Sequence, residues 1–151
     1  MVPDQIERET VINAPVERVW KLITEAEHLG RWFGDAGAEI DLRPGGALSL
    51  NWERYGTVRG RVVDVDAPRR FSYRWAVLRE QFGSEPIEGN STLVEFTLEA
   101  EGEGTCLRVV ESGFATLDAP AETRDERIED NRKGWGSELG ELSDYAERVA
   151  V

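Results

Sequence analysis

The chain is poor in the residues that most often announce a chemistry or a compartment. Its 151 residues include one cysteine, Cys106, one histidine, His28, and two lysines, Lys21 and Lys133. A single cysteine leaves no intrachain disulfide, and a single histidine excludes Cys/His zinc sites and multi-histidine metal centres. No apolar run approaches the roughly 20 residues that span a bilayer. The opening MVPDQIERETVINAP has neither the basic nor the apolar region of a signal peptide. A cytoplasmic protein with no cofactor and no membrane partner is the expectation. There is no GxSxG elbow, no P-loop and no GxGxxG. Asn90-Ser91-Thr92 matches a glycosylation acceptor, but carries no weight without a secretory signal.

Positive charge is scarce as well. Thirty acidic residues against 18 basic ones give a net charge of −12, which repels polyanions and makes nucleic acid a poor partner. One stretch runs against this balance: between Arg54 and Arg79 seven arginines face only Asp64 and Asp66. Arg59 and Arg61 alternate with apolar neighbours, so a solvated strand face is preferred there to an anion site.

What is present suffices for one domain over residues 1–151. Hydrophobic residues make up 40% of the chain, and a chain of this length buries roughly 68–70% of its unfolded surface. Residues 5–13 alternate as a strand and stop at Ala14-Pro15, where proline suits a first helical turn. Val16, Val19, Trp20 and Ile23 then fall at helical spacing, and a second short helix covers residues 25–33. After Gly37 the period becomes two. Strands are expected at Ala38-Ile40-Leu42 and Leu48-Leu50-Trp52, at 57–65 with a bulge near Gly60, and at Phe71-Tyr73-Trp75. Residues 81–90 carry Gly83, Pro86 and Gly89 with no apolar period and are expected to form an exposed loop. Strands at 93–98 and 105–110 follow.

Residues 121–149 hold Ile128, Trp135, Leu139, Leu142, Ala146 and Val149 on one helical face. The order predicts an α+β fold: a curved antiparallel sheet of six to seven strands wrapped on a long C-terminal helix. Gly134, Gly136 and Gly140 lie within that helix at a cost of about 0.8–1.0 kcal/mol each, so a close approach to the sheet or a pocket is expected at one of them.

Trp32, Phe33, Trp52, Tyr73, Trp75, Phe96, Phe114 and Trp135 come from separate elements, and phase points most of them inward. They form either a packed core or the wall of a pocket completed by a few polar groups. Glu111 shares the inward parity of Leu107 and Val109, yet the cost of burying an unpaired carboxylate favours a strand end turned to solvent. Glu53 faces outward by parity. Tyr73 offers a hydroxyl for a ligand or an internal water. His28 is expected at the surface rather than as a general base, and Cys106 as a quiet sheet thiol.

The segments PVERVWKLITEAEHLGRWF, LRPGG, GRVVDVDAPRRFSYRW and GTCLRVVESGF, followed by a late GW, resemble the activator of heat-shock protein 90 ATPase homologue family. That family lies within the START-like, SRPBCC superfamily of polyketide cyclases and lipid-transfer proteins, and the resemblance spans residues 6–145. It implies the helix-grip fold and a cavity between sheet and C-terminal helix. The leading expectation is a binding protein, monomer or homodimer, for a small apolar or amphipathic molecule. A co-chaperone or stress-related adaptor with a chaperone partner is implied by the family name alone. The third possibility is a cyclase- or hydrolase-type enzyme using Glu111 with Tyr73.

Overall fold

Alternating burial writes the sheet. In a computed structural model, which describes residues 4–54, 56–78 and 82–148, inward Ile6 and Ile12 anchor β1 (Gln5–Ile12). β2 (Ala38–Ile40), β3 (Ala47–Trp52), β4 (Gly56–Asp66) and β5 (Arg70–Ala76) follow the first two helices. β6 (Ser91–Glu101) and β7 (Gly104–Ser112) complete seven antiparallel strands in the order β1-β7-β6-β5-β4-β3-β2. The first strand therefore pairs with the last, Ile6 opposite Glu111, and each remaining strand pairs with its neighbour in sequence. The C-terminal helix α3 (Ala121–Arg148) lies against β1, α1 and α2. The α+β helix-grip architecture follows.

Two short helices, α1 (Val16–Thr24) and α2 (Ala26–Trp32), link β1 to β2. Pro15 stands at the N-cap of α1 in extended conformation, and its carbonyl receives Val19 N–H at 3.1 Å. The ends of α2 and β3 meet through glycine. A Cβ on Gly30 would sit 2.8 Å from Gly37 Cα, and one on Gly34 would sit 2.8 Å from the Asn51 carbonyl oxygen. These approaches bring Trp32 and Phe33 beneath the sheet. On α3, Ile128, Trp135, Leu139, Leu142 and Ala146 are buried as their spacing predicts, while Val149 lies outside the described residues.

The structure corrects several expectations. The bulge falls between Val62 and Asp64, leaving Val63 exposed. Gly60 instead stays in register opposite Trp75, and only glycine fits there, since a Cβ would meet the Arg74 carbonyl oxygen at 2.6 Å. In α3, Gly140 faces open space, a Cβ on Gly136 would make only an ordinary 3.5 Å contact with Arg8, and Gly134 has nothing within 4 Å because it borders a cleft beside the helix. The expectation of a glycine beside a pocket is thus met at Gly134, while the tight backbone approaches belong to α2 and the sheet. His28 is buried, with its Nδ1 2.8 Å from the Tyr145 hydroxyl. Tyr145, in the last turn of α3, thus covers a histidine that local sequence places at the surface.

Other features stand as read. Arg59 and Arg61 both pair with Glu85, Arg69 with Asp66, and Arg70 with Glu95, so much of the arginine run is a paired, solvated strand face. Arg79 lies outside the described residues, as does Gln81 of the loop. The remainder of that loop is tied down at its far end. Asn90, buried, accepts from Ile87 N–H at 2.8 Å and donates to the Glu85 carbonyl at 3.1 Å. Cys106 is half-buried in β7, and burial followed by the Glu9 carboxylate pushes its thiol pKa up, away from the reactive thiolate.

Candidate functional site: an aromatic cleft against the C-terminal helix

The site begins with cross-strand geometry. Phe71, Tyr73 and Trp75 occupy alternate inward positions of β5, and Trp75 pairs with Thr92 of β6. Val94 of β6 pairs with Glu111 of β7, which places Thr92 diagonal to that carboxylate on the same face. From above, Asn131 and Trp135 of α3, four residues apart, share one side of the helix. Four side chains from three elements thus converge on Glu111.

Their contacts are specific. Glu111 is fully buried. Its Oε2 accepts from Trp75 Nε1 at 2.9 Å, Thr92 Oγ1 at 2.5 Å and Asn131 Nδ2 at 3.1 Å. Its Oε1 accepts from Trp135 Nε1 at 2.8 Å and from the same amide at 3.1 Å. Burial raises the carboxyl's pKa above its ordinary value, and the bonds from Thr92, Trp75, Trp135 and Asn131 pull it back only in part. The solvent-facing placement favoured by the sequence is therefore overturned. The rule behind it concerns unpaired carboxylates, and this one is satisfied by neutral donors from β5, β6 and α3.

Around this acid the rings form a continuous cluster. Trp32 stacks on Phe33 at 5.0 Å between centroids, and Phe33 in turn meets Trp52 at 5.5 Å, Trp75 at 5.6 Å and Trp135 at 5.3 Å. Trp32 Nε1 donates to the Leu22 carbonyl at 2.7 Å. Phe96 lies under Trp135 at 5.8 Å, and Tyr73 touches Trp75 at 5.6 Å. The Tyr73 hydroxyl is buried without a partner among the described residues. Burial, then the charges of Glu111 and Glu138, raise its pKa well above that of a free phenol.

Beside the cluster opens a cleft of about 450 Å³. Its sheet wall is apolar: Trp52 of β3, Val58 of β4, Trp75 and Ala76 of β5, then Val77 and Phe82. Its helix wall is polar, formed by α3 through Arg127, Asp130, Asn131, Lys133, Gly134, Ser137 and Glu138. Arg127 is buried and bridged to Asp130. The Oε2 atom of Glu138 is buried without a partner among the described residues. Burial, with Glu141 and Asp35 adding negative charge, pushes the Glu138 carboxyl up to about 8.

Of the residues singled out from the sequence, Trp52 and Trp75 line the cleft. Glu111 and Trp135 stand directly behind Trp75. Trp32, Phe33, Tyr73 and Phe96 pack in the adjoining core, and Phe114 is buried in the 3-10 turn Phe114–Thr116. Sequence reasoning missed the helix wall. Its signal was available, since Arg127, Asn131, Gly134 and Glu138 recur at steps of four, three and four, the period of one helical stripe.

A family model described as Activator of Hsp90 ATPase homolog 1-like protein matches residues 13–147. The chain belongs to this family. No curated protein matches it in sequence. Among solved structures, DynU16, a protein of the dynemicin biosynthetic locus, superposes with a TM-score of 0.75 at 23% identity, covering 96% of this chain. The chain spans about half of DynU16, 48% of its length. Protein MLL2253 from Mesorhizobium loti gives a TM-score of 0.78 at 20% identity, with 97% of this chain and 99% of that one covered. CalU16 from Micromonospora echinospora gives 0.70 at 25% identity over 94% of this chain and 75% of its own. These solved structures share the fold of this chain. Among the described residues, no helix is long and apolar enough to cross a membrane.

Proposed function

We propose that this member of the Activator of Hsp90 ATPase homolog 1-like family binds a small apolar or amphipathic molecule in the cleft between the sheet and α3. One observation carries the reading: Trp75, a wall of the cleft, has its indole nitrogen fixed by a buried carboxylate. A volume of about 450 Å³ falls in the range of small-molecule sites, roughly 300–1,000 Å³, and a wall held in place before binding lowers the ordering cost of association. Neither Glu111 nor Tyr73 lines the cleft, so no reacting pair supports the enzyme alternative. The test is titration with a hydrophobic fluorescent dye, read with Trp75→Phe alongside. Saturable one-to-one uptake that weakens about tenfold in the folded variant supports the site. Uptake that is absent, or indifferent to Trp75, refutes it.

The family description favours a second reading, stimulation of a chaperone ATPase. Adding the protein to a purified heat-shock protein 90 and following ATP hydrolysis decides it. Stimulation that survives Trp75→Phe places that activity on a surface other than the cleft.

A further inference from the structure

The cleft is electrically lopsided. Its sheet wall presents two indoles, Trp52 and Trp75, with ring centroids 6.5 Å apart and planes inclined by 55°, and Phe82 lies on the same side. Its helix wall carries two basic residues, but neither offers a free buried charge. Arg127 is bridged to Asp130 and to Glu126, and Lys133 is exposed. Glu138 is the opposite case, with one carboxylate oxygen buried and unpartnered.

The groups around Glu138 sharpen the contrast. Asp35, from the segment between α2 and β2, and Glu141, from α3 itself, both bear on it with negative charge. Glu138 from α3 and Glu111 from the sheet both act on the Tyr73 hydroxyl. No cation enters the balance at Glu138 among the described residues. Aromatic faces attract cations through their quadrupoles, and desolvated examples exceed exposed ones in strength. A carboxyl kept neutral by burial and by like charge regains its ionised form when a cation arrives beside it.

We propose that the cleft selects an organic cation, a compact apolar body bearing one ammonium group, with the body against Trp52 and Trp75 and the charge directed to Glu138. This inference rests on the reading of the cleft as a ligand site and specifies its ligand class. Binding then expels a proton from Glu138, so affinity rises as pH increases. With the carboxyl at about 8, roughly 1% of it is ionised near pH 6 and most near pH 9, giving a gain of tenfold or more. An alkylammonium, with an ordinary pKa of about 10.4 in lysine, keeps its charge across most of that interval.

Three probes with one shared body test the claim: 1-adamantylammonium, 1-adamantanol and 1-adamantanecarboxylate. Calorimetry at about pH 8.5 is expected to show the ammonium bound at least tenfold tighter than the alcohol, and the carboxylate weakest. Repeating the ammonium titration in two buffers of different ionisation enthalpy near pH 7 is expected to reveal proton release. Glu138→Gln is expected to bring the ammonium-to-alcohol ratio near one, with far-UV circular dichroism as the control for folding. Equal binding of alcohol and ammonium, tighter binding of the carboxylate, or no proton release from the wild type overturns the cation inference while leaving the ligand cleft standing. Failure of all three probes to bind overturns both.

Discussion

Removing the Glu111 carboxylate tests how the sheet is joined to α3. Glu111→Ala strips the acceptor from Trp135 Nε1 and Asn131 Nδ2, while Trp75 Nε1 retains Thr92 Oγ1 at 3.2 Å. An unsatisfied buried donor costs about 1–3 kcal/mol, and the truncated side chain adds a void. The expected loss is about 3–5 kcal/mol, a large part of a typical stability of about 5–15 kcal/mol. Glu111→Gln should cost only about 0–1.5 kcal/mol. The glutamine oxygen can accept from Trp135 and Asn131, and its amide can donate to Thr92, whose hydroxyl also accepts from Trp75. The pH dependence has a fixed sign. Burial raises the folded carboxyl above its ordinary 4.5, so its stabilising contribution is complete below that value and declines as pH rises through the folded pKa. Wild type should therefore lose stability relative to Glu111→Gln on going from acid to alkaline pH. Urea unfolding, followed by tryptophan emission and far-UV circular dichroism, measures both effects. Equal midpoints for the alanine and glutamine variants would refute the role given to this acid.

Three further substitutions are sharp. Tyr73→Phe deletes a buried hydroxyl that has no protein partner and should leave stability unchanged or raise it by up to about 1 kcal/mol; a loss above that size in thermal unfolding would mean the hydroxyl is satisfied. Gly140→Ala, on open helix surface, should stabilise by up to about 1 kcal/mol, whereas Gly30→Ala drives a Cβ to 2.8 Å from Gly37 Cα and should lower the melting temperature; the reverse ranking contradicts the assignment of the close approaches.

The fold was legible because it depends on periods. Alternation along Phe71, Tyr73 and Trp75 and the helical step from Ile128 to Ala146 state which faces are inward, and no distant contact is needed to read them. The cleft was half legible for the same reason. Parity alone brings Trp52 and Trp75 to one wall, but cannot tell a ring lining space from one packed behind it, as Phe96 and Trp32 are. Glu111 was misread because its fate depends on partners 19, 24 and 36 residues away, and no local pattern marks Thr92, Trp135 and Trp75 as its donors. His28 was misread in the same way, since the residue that covers it, Tyr145, is 117 positions distant. The glycines of α3 were informative only at Gly134, which borders the cleft: a glycine's helical cost is visible in sequence, but the space beside it is not.

The two walls of the cleft differ in what substitution costs, and this bears on how a shared frame serves different ligands. Trp75 belongs at once to the cleft and to the bonded group on Glu111, so changing it disturbs packing and a buried acceptor together. Ser137 and Lys133 line the opposite wall and are exposed, where substitutions usually shift stability by no more than about 0.5 kcal/mol. Glu138 sits between these cases. Its buried oxygen, unpartnered among the described residues, is unfavourable in the free protein, and a leucine there would relieve the desolvation. On the cation proposal, a group that weakens the free protein is retained because a bound ammonium would satisfy it. The indole wall and Glu111 fix the shape of the cleft, and on that proposal Glu138 rather than the exposed residues of α3 sets the preference.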